Sequence, residues 1–305
     1  MYCAQITMDA LIQRGLTGTM TTPQVLVLGG TGRTGRRIVD CLRRKDVAVR
    51  VASRRSIHPA GHVFDWDDPG TWDGALRGAT AAYVCYSPDL AFAGVSELVA
   101  EFAEAARAQG VGHLVLLSGR GEDGAIASER AVQESADSWA IVRSSWFSQN
   151  FSENFLLGPV QRGRLVLPAG EVAEPFVDLD DLAEVATAAL TGDLPAGRVY
   201  ELTGPRLLTM SEVAAELTAA AGYPVSYSAS TGAEFVADLA RDGIGPEDAE
   251  PLADLFATVL DGRNSSLLPD LEEALGRPAT DFTDYARRAA ASGVWTVAPV
   301  PAPLS

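Results

Sequence analysis

The sequence predicts an α/β protein with a doubly wound parallel sheet and a smaller, mostly helical region. Three observations lead to this prediction. Apolar, β-rich runs alternate with longer helical patterns through the first half of the chain, as in right-handed βαβ crossovers. A glycine-rich turn joins the first such run to the first helical pattern. After Phe151 the regular alternation stops and amphipathic helical patterns dominate.

The first half contains six predicted strands separated by helical segments. Each strand is a short apolar run, and each helix carries apolar residues three or four positions apart. The strands are Gln24–Leu28, Ala48–Ala52, His62–Phe64, Ala81–Tyr86, His113–Leu117 and Ala140–Arg143. The helices are Gly35–Arg44, Thr71–Leu76, Val95–Ala108 and Ala127–Ser135. This alternation predicts that the strands are parallel to one another.

The second half is predicted to complete the sheet and to cover it. The runs GRLVLP, from Gly163, and VYELTG, from Val199, are expected to return to the sheet. Amphipathic helices are predicted within SEVAAELTAAAG, GAEFVADLARDG and DAEPLADLFATVLDG. The acidic run DLDD, from Asp178, is expected to cap a helix N-terminus rather than to form a catalytic pair.

The composition predicts a folded protein that does not bind nucleic acid or membranes. Of 305 residues, 47% are hydrophobic and 21% charged, as in globular proteins. The formal net charge of −16 repels phosphate backbones and anionic lipid surfaces. No uncharged apolar stretch reaches the ~18 residues of a membrane span. Three cysteines without C-x-x-C spacing indicate neither a disulfide framework nor a metal site, and favour a cytoplasmic location.

The glycine-rich turn carries the pattern G-x-G-x-x-G directly after the first strand and at the start of a helix. Its glycines are Gly30, Gly32 and Gly35. In this context the three glycines allow a tight turn, close approach of the backbone to a pyrophosphate, and close packing of the helix on the strand. The amides and the dipole of the helix N-terminus favour an anion at the same place. The turn therefore predicts a Rossmann-like domain that binds a dinucleotide.

The end of the second strand indicates which dinucleotide is bound. Proteins that prefer NAD carry an acid there, about twenty residues after the glycine turn, to hold the ribose hydroxyls. This chain has Ser53, Arg54 and Arg55 instead. A hydroxyl and guanidinium groups suit a 2′-phosphate, so NADPH/NADP is predicted over NAD(H). Only one of these two arginines need face the phosphate, and Arg33 in the glycine turn is a further candidate.

These patterns predict a division of the chain into two main parts. An NAD(P)-binding domain is expected at residues 20–155, and a substrate-binding region that returns strands to the sheet at 156–295. Residues 1–19 are expected to be a disordered or non-native extension, with Met20 as an alternative natural start. The proline-rich tail at 296–305 is expected to be disordered.

Several further strings resemble the NmrA-like atypical short-chain dehydrogenases/reductases. They are FDWDDPGTW from Phe64, AAYVCYSPD from Ala81, HLVLLSG from His113 and WAIVRSSWFSQNF from Trp139. SRR followed by FDW, and YSP after the fourth strand, are most similar to the ergot-alkaloid branch of the agroclavine-dehydrogenase type. The resemblance spans about Val25 to Trp295. It implies an NADP-dependent oxidoreductase and leaves the substrate open.

The resemblance also implies which residues contact the cofactor and the substrate. For the pyrophosphate these are Gly30, Thr31, Gly32, Arg33, Thr34 and Gly35. For the adenosine part they are Ser53 and Arg54 at the phosphate, and Asp65 and Trp66 at the adenine. For the nicotinamide side they are Tyr86, Ser87, Pro88, Ser118 and Gly119, and for the substrate cavity Trp146, Phe147, Asn150 and Phe151. Several of these residues have ordinary alternatives, because Asp65 suits a turn and Phe147, Asn150 and Phe151 suit a core or a cap. The family's Arg-Pro after the sixth strand is here Arg143 and Ser144, which leaves the local turn open.

The tyrosine and lysine pair of typical short-chain dehydrogenases is missing. In that pair a lysine four residues after the tyrosine lowers the pKa of the phenol, which passes a proton to the substrate. The only lysine is Lys45, and no tyrosine precedes it by four residues. The three histidines lack metal-ligand spacing, and no G-x-S-x-G elbow is present. An iminium acceptor needs no acid, whereas a carbonyl needs a donor, for which Ser118 and Tyr86 are the candidates.

These observations predict an NADPH-dependent reductase. Its acceptor is expected to be an imine, an iminium or a conjugated carbonyl of a small apolar metabolite, in specialised metabolism. One alternative is an NADP(H)-sensing regulatory protein without turnover, and another is an isomerase or cyclase that keeps the nucleotide bound. The expected partner is a small molecule, and a homo-oligomer is compatible with the sequence.

Overall fold

A seven-stranded parallel sheet forms the centre of the molecule. The computed structural model of the chain describes residues 24–55, 61–241 and 243–296. The strands of this sheet are β1 (Gln24–Leu28), β2 (Ala48–Ser53), β3 (His62–Val63), β4 (Ala79–Val84), β5 (His113–Gly119), β6 (Trp139–Ser144) and β9 (Arg198–Leu202). Their order is β3-β2-β1-β4-β5-β6-β9, and every pairing is parallel. The predicted doubly wound arrangement is confirmed.

Helices cover both faces of the sheet. Val25 and Val27 of β1 belong to one apolar cluster, and Leu26 and Leu28 belong to another, because successive side chains of a strand point to opposite faces. Most of the helical residues of the first cluster come from α1 (Arg33–Arg44) and α7 (Leu179–Thr191). Those of the second cluster are α2 (Trp72–Leu76), α3 (Val95–Ala108) and α4 (Asp123–Ser135), with a 3₁₀ turn at Pro69–Thr71 before α2.

A second apolar core lies beside the sheet, built mainly from residues 151–176 and 208–295. Two small sheets contribute to it: β7 (Arg164–Leu167) pairs with β11 (Ser226–Ala229), and β8 (Ala173–Glu174) pairs with β10 (Leu208–Thr209). Its helices are α5 (Asn150–Glu153), α6 (Leu157–Gln161), α8 (Met210–Ala221), α9 (Gly232–Arg241), α10 (Pro246–Val259) and α12 (Phe282–Ala291). The short helix α11 (Asp270–Leu275) packs on α7 and β9 instead.

The prediction that GRLVLP returns to the main sheet is wrong. VYELTG contributes to β9 at the sheet edge, as expected, whereas GRLVLP forms β7 and pairs in parallel with β11. Leu165 and Leu167 of β7 are fully buried in the second core. Both runs are short and apolar, so periodicity alone does not indicate which strand each one pairs with.

Local signals explain where several helices begin. Asp178 of the run DLDD accepts a hydrogen bond from the Asp180 amide at 2.8 Å and is the N-cap of α7. Thr209 and Glu212 form a capping box at the start of α8. Helix α4 begins at Asp123, earlier than the predicted start at Ala127.

Some expectations concern parts of the chain outside the described ranges. The extension at 1–19, Met20, and the tail from residue 297 onwards lie outside the described residues. Among the residues that the structure describes, no helix is both long and apolar enough to cross a bilayer. Cys41 and Cys85 are free thiols.

Candidate functional site

The residues predicted to bind a cofactor gather at the carboxyl edge of the sheet. β2 and β4 lie on opposite sides of β1. The strand order therefore reverses here: β2 and β3 extend the sheet to one side of β1, and β4, β5 and β6 extend it to the other. Such a switch point opens a crevice beyond the strand ends, and ligands of open α/β sheets bind there. The glycine turn follows β1 at this crevice. The same edge carries Ser53–Arg55 at the end of β2, Tyr86–Pro88 in the loop after β4, and Ser118–Gly119 at the end of β5.

The glycine turn is packed too closely for side chains. A Cβ on Gly30 would lie 2.8 Å from Cγ1 of Val51, and a Cβ on Gly35 would overlap the carbonyl of Gly29. The Gly32 amide donates to the Gly29 carbonyl oxygen at 2.8 Å and closes the turn. Gly32 is also the N-cap of α1, where no side chain caps the helix and no acid lies in its first turn. The helix start is therefore suited to an external anion.

The end of β2 presents exposed cations. The Ser53 hydroxyl donates to the carbonyl oxygen of Arg55 at 2.7 Å and so shapes the turn after the strand. Arg54 and Arg55 are both exposed, and neither forms an ion pair with another described residue. Their charge is available to a phosphate group.

Arg33 points elsewhere. Its guanidinium donates to Oδ1 of Asn150 at 2.7 Å and lies 5.9 Å from the ring centre of Phe147. Because Asn150 follows β6, on the opposite side of β1 from β2, this contact directs the Arg33 side chain away from Arg54, and the role of Arg33 as a further candidate for the 2′-phosphate stays a prediction. Burial lowers the pKa of Arg33 from its ordinary value.

Two neighbouring arginines of α1 strengthen the link to the second core. Arg36 and Arg37 both form ion pairs with Glu153, and Arg37 also reaches Asp180 at 2.7 Å. Hydrogen bonds to these two acids outweigh burial and raise the pKa of Arg37. The helix that begins at the glycine turn is thereby fixed to the segment predicted to contact substrate.

Asp65 and Trp66 form the turn after β3. The indole Nε1 of Trp66 donates to the carbonyl oxygen of Cys85 at 3.1 Å, which fastens this turn to the chain after β4. The ring centres of Trp66 and Tyr86 lie 5.5 Å apart. The Asp65 carboxylate accepts from the amide of Asp67 at 3.1 Å and so serves its own turn. Ser87 and Pro88, which follow Tyr86, are exposed and joined by a cis peptide bond.

Ser118 belongs to a buried polar network. Its hydroxyl donates to Oε1 of Glu129 at 2.6 Å, and both side chains are buried. Arg143 binds Glu129 with two nitrogens, one of them at 2.9 Å, and also pairs with Glu201. These hydrogen bonds raise the pKa of Arg143, with Glu129 as the largest cause. Arg143 thus ties the end of β6 to α4. It directly precedes Ser144, the residue at which this chain departs from the family's Arg-Pro.

A pair of acids that the sequence pattern did not reveal lies between the loops after β4 and β5. The Glu122 carboxyl lies close enough to the Asp89 carboxyl for each to act on the other's ionisation, and it lies against Gly119, where a Cβ would overlap it. Burial, together with the charge of Asp89, raises the pKa of Glu122 to about 8. Burial also raises the pKa of Asp89. One feature of the sequence points to the pair: Asp89 follows β4 and Glu122 follows β5, and these two strands are parallel neighbours in the sheet.

The residues predicted to contact substrate separate into two groups. Trp146 and Phe147 are partly exposed, and the ring of Trp146 lies 4.7 Å from that of Phe256. Asn150 is partly exposed and accepts from Arg33. Phe151 has no exposed surface and belongs to the second core, which matches the core alternative that the sequence left open for it.

Groups needed by other catalytic schemes lie away from the crevice. Lys45 is the C-cap of α1, at the opposite end of that helix from the glycine turn, and pairs with Asp193 at 2.9 Å. In the described part of the chain, no group of three or more His, Cys, Asp or Glu side chains is arranged to hold a metal ion.

Sequence comparison identifies relatives along nearly the whole chain, although no protein-family model matches it. The chain is 31% identical over 289 residues to an NAD(P)H azoreductase from Xenophilus azovorans, which covers 88% of this chain and 98% of that protein. It is also 31% identical over 267 residues to agroclavine dehydrogenase from Claviceps purpurea, covering 81% of this chain and 90% of the relative.

Solved structures of the same fold include reductases and a regulator. A triphenylmethane reductase from Citrobacter sp., complexed with NADP(H), matches with a TM-score of 0.75 and 20% identity, covering 87% of this chain and 99% of its own. NmrA, a negative transcriptional regulator in complex with NAD, matches with a TM-score of 0.68 and 15% identity, covering 91% and 100%. These matches confirm the predicted Rossmann-like fold.

Proposed function

The chain belongs to the NmrA-like atypical short-chain dehydrogenase/reductase family, and we propose that it is an NADPH-dependent reductase of small, apolar, electron-poor molecules. One observation carries the proposal: a glycine turn at the switch point of the sheet lies beside exposed arginines at the end of β2. The relatives named as an azoreductase and a dehydrogenase support redox chemistry over regulation.

The residues present fit NADPH. The lack of side chains at Gly30, Gly32 and Gly35 leaves backbone amides for the pyrophosphate, and no acid directly follows β2 to repel a 2′-phosphate. Ser53 and Arg54 would hold that phosphate, and Trp66 would face the adenine. The nicotinamide side would be lined by Tyr86, Ser87, Pro88, Ser118 and Gly119. When bound, the cofactor supplies a hydride.

The chain's own contribution is to orient the acceptor and exclude water. The hydrogen bonds among Ser118, Glu129 and Arg143 fix the ends of β5 and β6. Trp146 and Phe147, which follow β6 and are partly exposed, offer apolar surface to an acceptor. Rigid placement of an acceptor lowers the entropic barrier to transfer, so the missing tyrosine and lysine pair does not prevent reduction.

The acceptor class follows from this chemistry. An iminium accepts a hydride without an acid, and an imine or a conjugated carbonyl becomes reducible once a proton is supplied. We therefore propose C=N and conjugated C=O bonds of apolar metabolites as substrates. One relative is named as an azoreductase, and two structural neighbours are named as reductases of triphenylmethane dyes and of quinones. Azo compounds, these dyes and quinones are likewise conjugated molecules.

The test is NADPH consumption by the purified full-length protein. The panel contains cyclic imines, iminium ions, enals and quinones, and the affinity for NADPH and NADH is measured alongside. Turnover of any of these acceptors supports a reductase. Tight binding of NADP(H) without turnover across the panel would contradict it and would favour the NADP(H)-sensing regulator.

A further inference from the structure

Asp89 and Glu122 are held together by closely packed backbone. The loop that carries Asp89 lies on the start of α4, where a Cβ on Gly124 would overlap the backbone of Ala91. Asp89 accepts a hydrogen bond from the Ala91 amide at 2.8 Å, and the Ser128 hydroxyl donates to the same loop at 3.3 Å. Both carboxyl side chains remain partly exposed. The pair is therefore fixed in position and still accessible.

The surroundings of the pair favour a bound proton. Glu129 is a further acid that acts on Glu122, and neither carboxyl of the pair forms an ion pair with a described cation. The cations of neighbouring loops are engaged elsewhere: Arg120 pairs with Glu201, and Arg263 pairs with Asp261. Asp123, the next residue, is exposed. Two adjacent carboxyls do not both ionise readily, so this arrangement favours a proton held between them.

We propose that the Asp89–Glu122 pair is the proton donor of the reduction, with Glu122 passing its proton to the atom of a neutral acceptor that gains negative charge. This inference rests on the proposed function. The Glu122 carboxyl lies against Gly119, one of the residues assigned to the nicotinamide side. Ser118, the donor expected from the sequence, has its hydroxyl hydrogen engaged by Glu129.

The step balances for a quinone or a conjugated carbonyl. With NADPH bound, the acceptor would gain a hydride, and the electron pair of its π system would move to oxygen. The O–H bond of Glu122 breaks as a new O–H bond forms on the acceptor, which has then gained two electrons and two hydrogens. Glu122 becomes a carboxylate and regains a proton from water. A cationic acceptor is neutralised by hydride alone and needs no proton.

Two acceptors of different charge provide the test. Glu122→Gln is compared with wild type and with Glu134→Gln, an exposed glutamate of α4, the helix that begins directly after Glu122, on menadione and on the cation malachite green. We expect Glu122→Gln to slow menadione reduction about 100-fold at pH 7 and malachite green reduction less than about twofold. Glu134→Gln should change neither rate. Equal losses on both acceptors, or no loss on menadione, would overturn the proposal.

Asp89→Asn tests the pair by its pH profile. Removing the neighbouring acid lowers the pKa of Glu122, so the alkaline limb of menadione reduction should move to lower pH. The profile for malachite green should keep its position. An unchanged menadione profile would contradict the role of Asp89.

A readout without turnover uses the cofactor-free full-length protein with ¹³C-labelled glutamate carboxyls. The resonance lost in Glu122→Gln identifies Glu122, and we expect its midpoint at about 8 in wild type. In Asp89→Asn the midpoint should be lower. A wild-type midpoint below about 5 would overturn the proposal even if the variants fold poorly, because the donor would then be ionised at neutral pH.

Failure of the proton donor and failure of the proposed function are distinguishable. If wild type reduces neither these acceptors nor the wider panel, the reductase proposal fails and the donor fails with it. If wild type and Glu122→Gln both reduce menadione at similar rates, only the donor fails.

Discussion

The two ends of the carboxyl edge use arginine in opposite ways. After β2, Arg54 and Arg55 are exposed and form no ion pair with other described residues. At the end of β6, the side chain of Arg143 is 20% exposed and is bound by Glu129 and Glu201. The presence of arginine is therefore not enough to identify an anion site, because the arginine must also be free of acidic partners. Charge is available to a ligand at the first end and is compensated by acids at the second.

The acids of the second end differ in the same way. Glu129 and Glu122 both belong to the region of α4, yet Glu129 faces Arg143 and Glu122 faces Asp89. A carboxylate beside a guanidinium stabilises structure, whereas a carboxyl beside another acid retains its proton and can give it up. Four predictions, ordered from the largest expected effect to the smallest, test this contrast.

Arg143→Met should have the largest effect, and the effect is on stability. It leaves Glu129, which is 2% exposed, without its cation, and an uncompensated buried charge costs about 3–5 kcal/mol. The free energy of unfolding in urea measures this loss. Arg198→Met is the matched control, because Arg198 pairs with acids at the surface and its loss should cost less than about 1 kcal/mol. Similar losses in both variants would refute the structural role of Arg143.

Arg54→Ala should affect binding at the opposite end. Loss of a charge-assisted hydrogen bond to phosphate corresponds to about 10- to 100-fold weaker NADPH binding, while NADH, which lacks the 2′-phosphate, should bind as before. Titration calorimetry with both nucleotides checks this expectation. Arg43→Ala removes an exposed arginine at the far end of α1 and should leave both affinities unchanged. Equal weakening of both nucleotides by Arg54→Ala would refute the 2′-phosphate site.

Glu122 should make stability depend on pH. Its pKa rises from 4.5 to about 8 on folding, so its stabilising contribution is complete below about pH 4.5 and is lost as the pH rises through about 8. Between these two pH values, the free energy of unfolding of wild type should therefore fall by on the order of 2 kcal/mol relative to that of Glu122→Gln, allowing for partial solvent screening. Glu174, whose pKa burial raises to about 7, is common to both proteins and cancels. Parallel stability curves would show that Glu122 titrates normally.

Local sequence pattern identifies the candidate cofactor residues more directly than the proposed proton-donor pair. The glycine turn and the arginines after β2 lie in short segments beside strands of clear apolar character, so local pattern locates them. Asp89 and Glu122 come from different loops, and only the adjacency of β4 and β5 brings them together. The same limit applies to β7, whose pairing with β11 depends on long-range packing.

Two individual residues show the same limit. Phe151 carries no sign in the sequence that it belongs to the second core, because an aromatic ring suits a cavity wall and a core equally. Arg33 lies in the glycine turn, yet its long side chain reaches Asn150, more than a hundred residues away in sequence. Side-chain direction at both positions is set by tertiary contacts, which local periodicity does not contain.

Ser118→Ala should have the smallest effect. Glu129 keeps both contacts with Arg143 after the change, so losing one hydrogen bond should cost about 1 kcal/mol of stability. If Glu122 supplies the proton, the reduction of menadione and of malachite green should each slow by less than about threefold, because Ser118 donates to Glu129 rather than to the acceptor. Single-turnover rates on the two acceptors measure this. A loss confined to menadione, with Glu122→Gln unaffected, would return the donor role to Ser118 and would mean that its hydroxyl leaves Glu129 during the reaction.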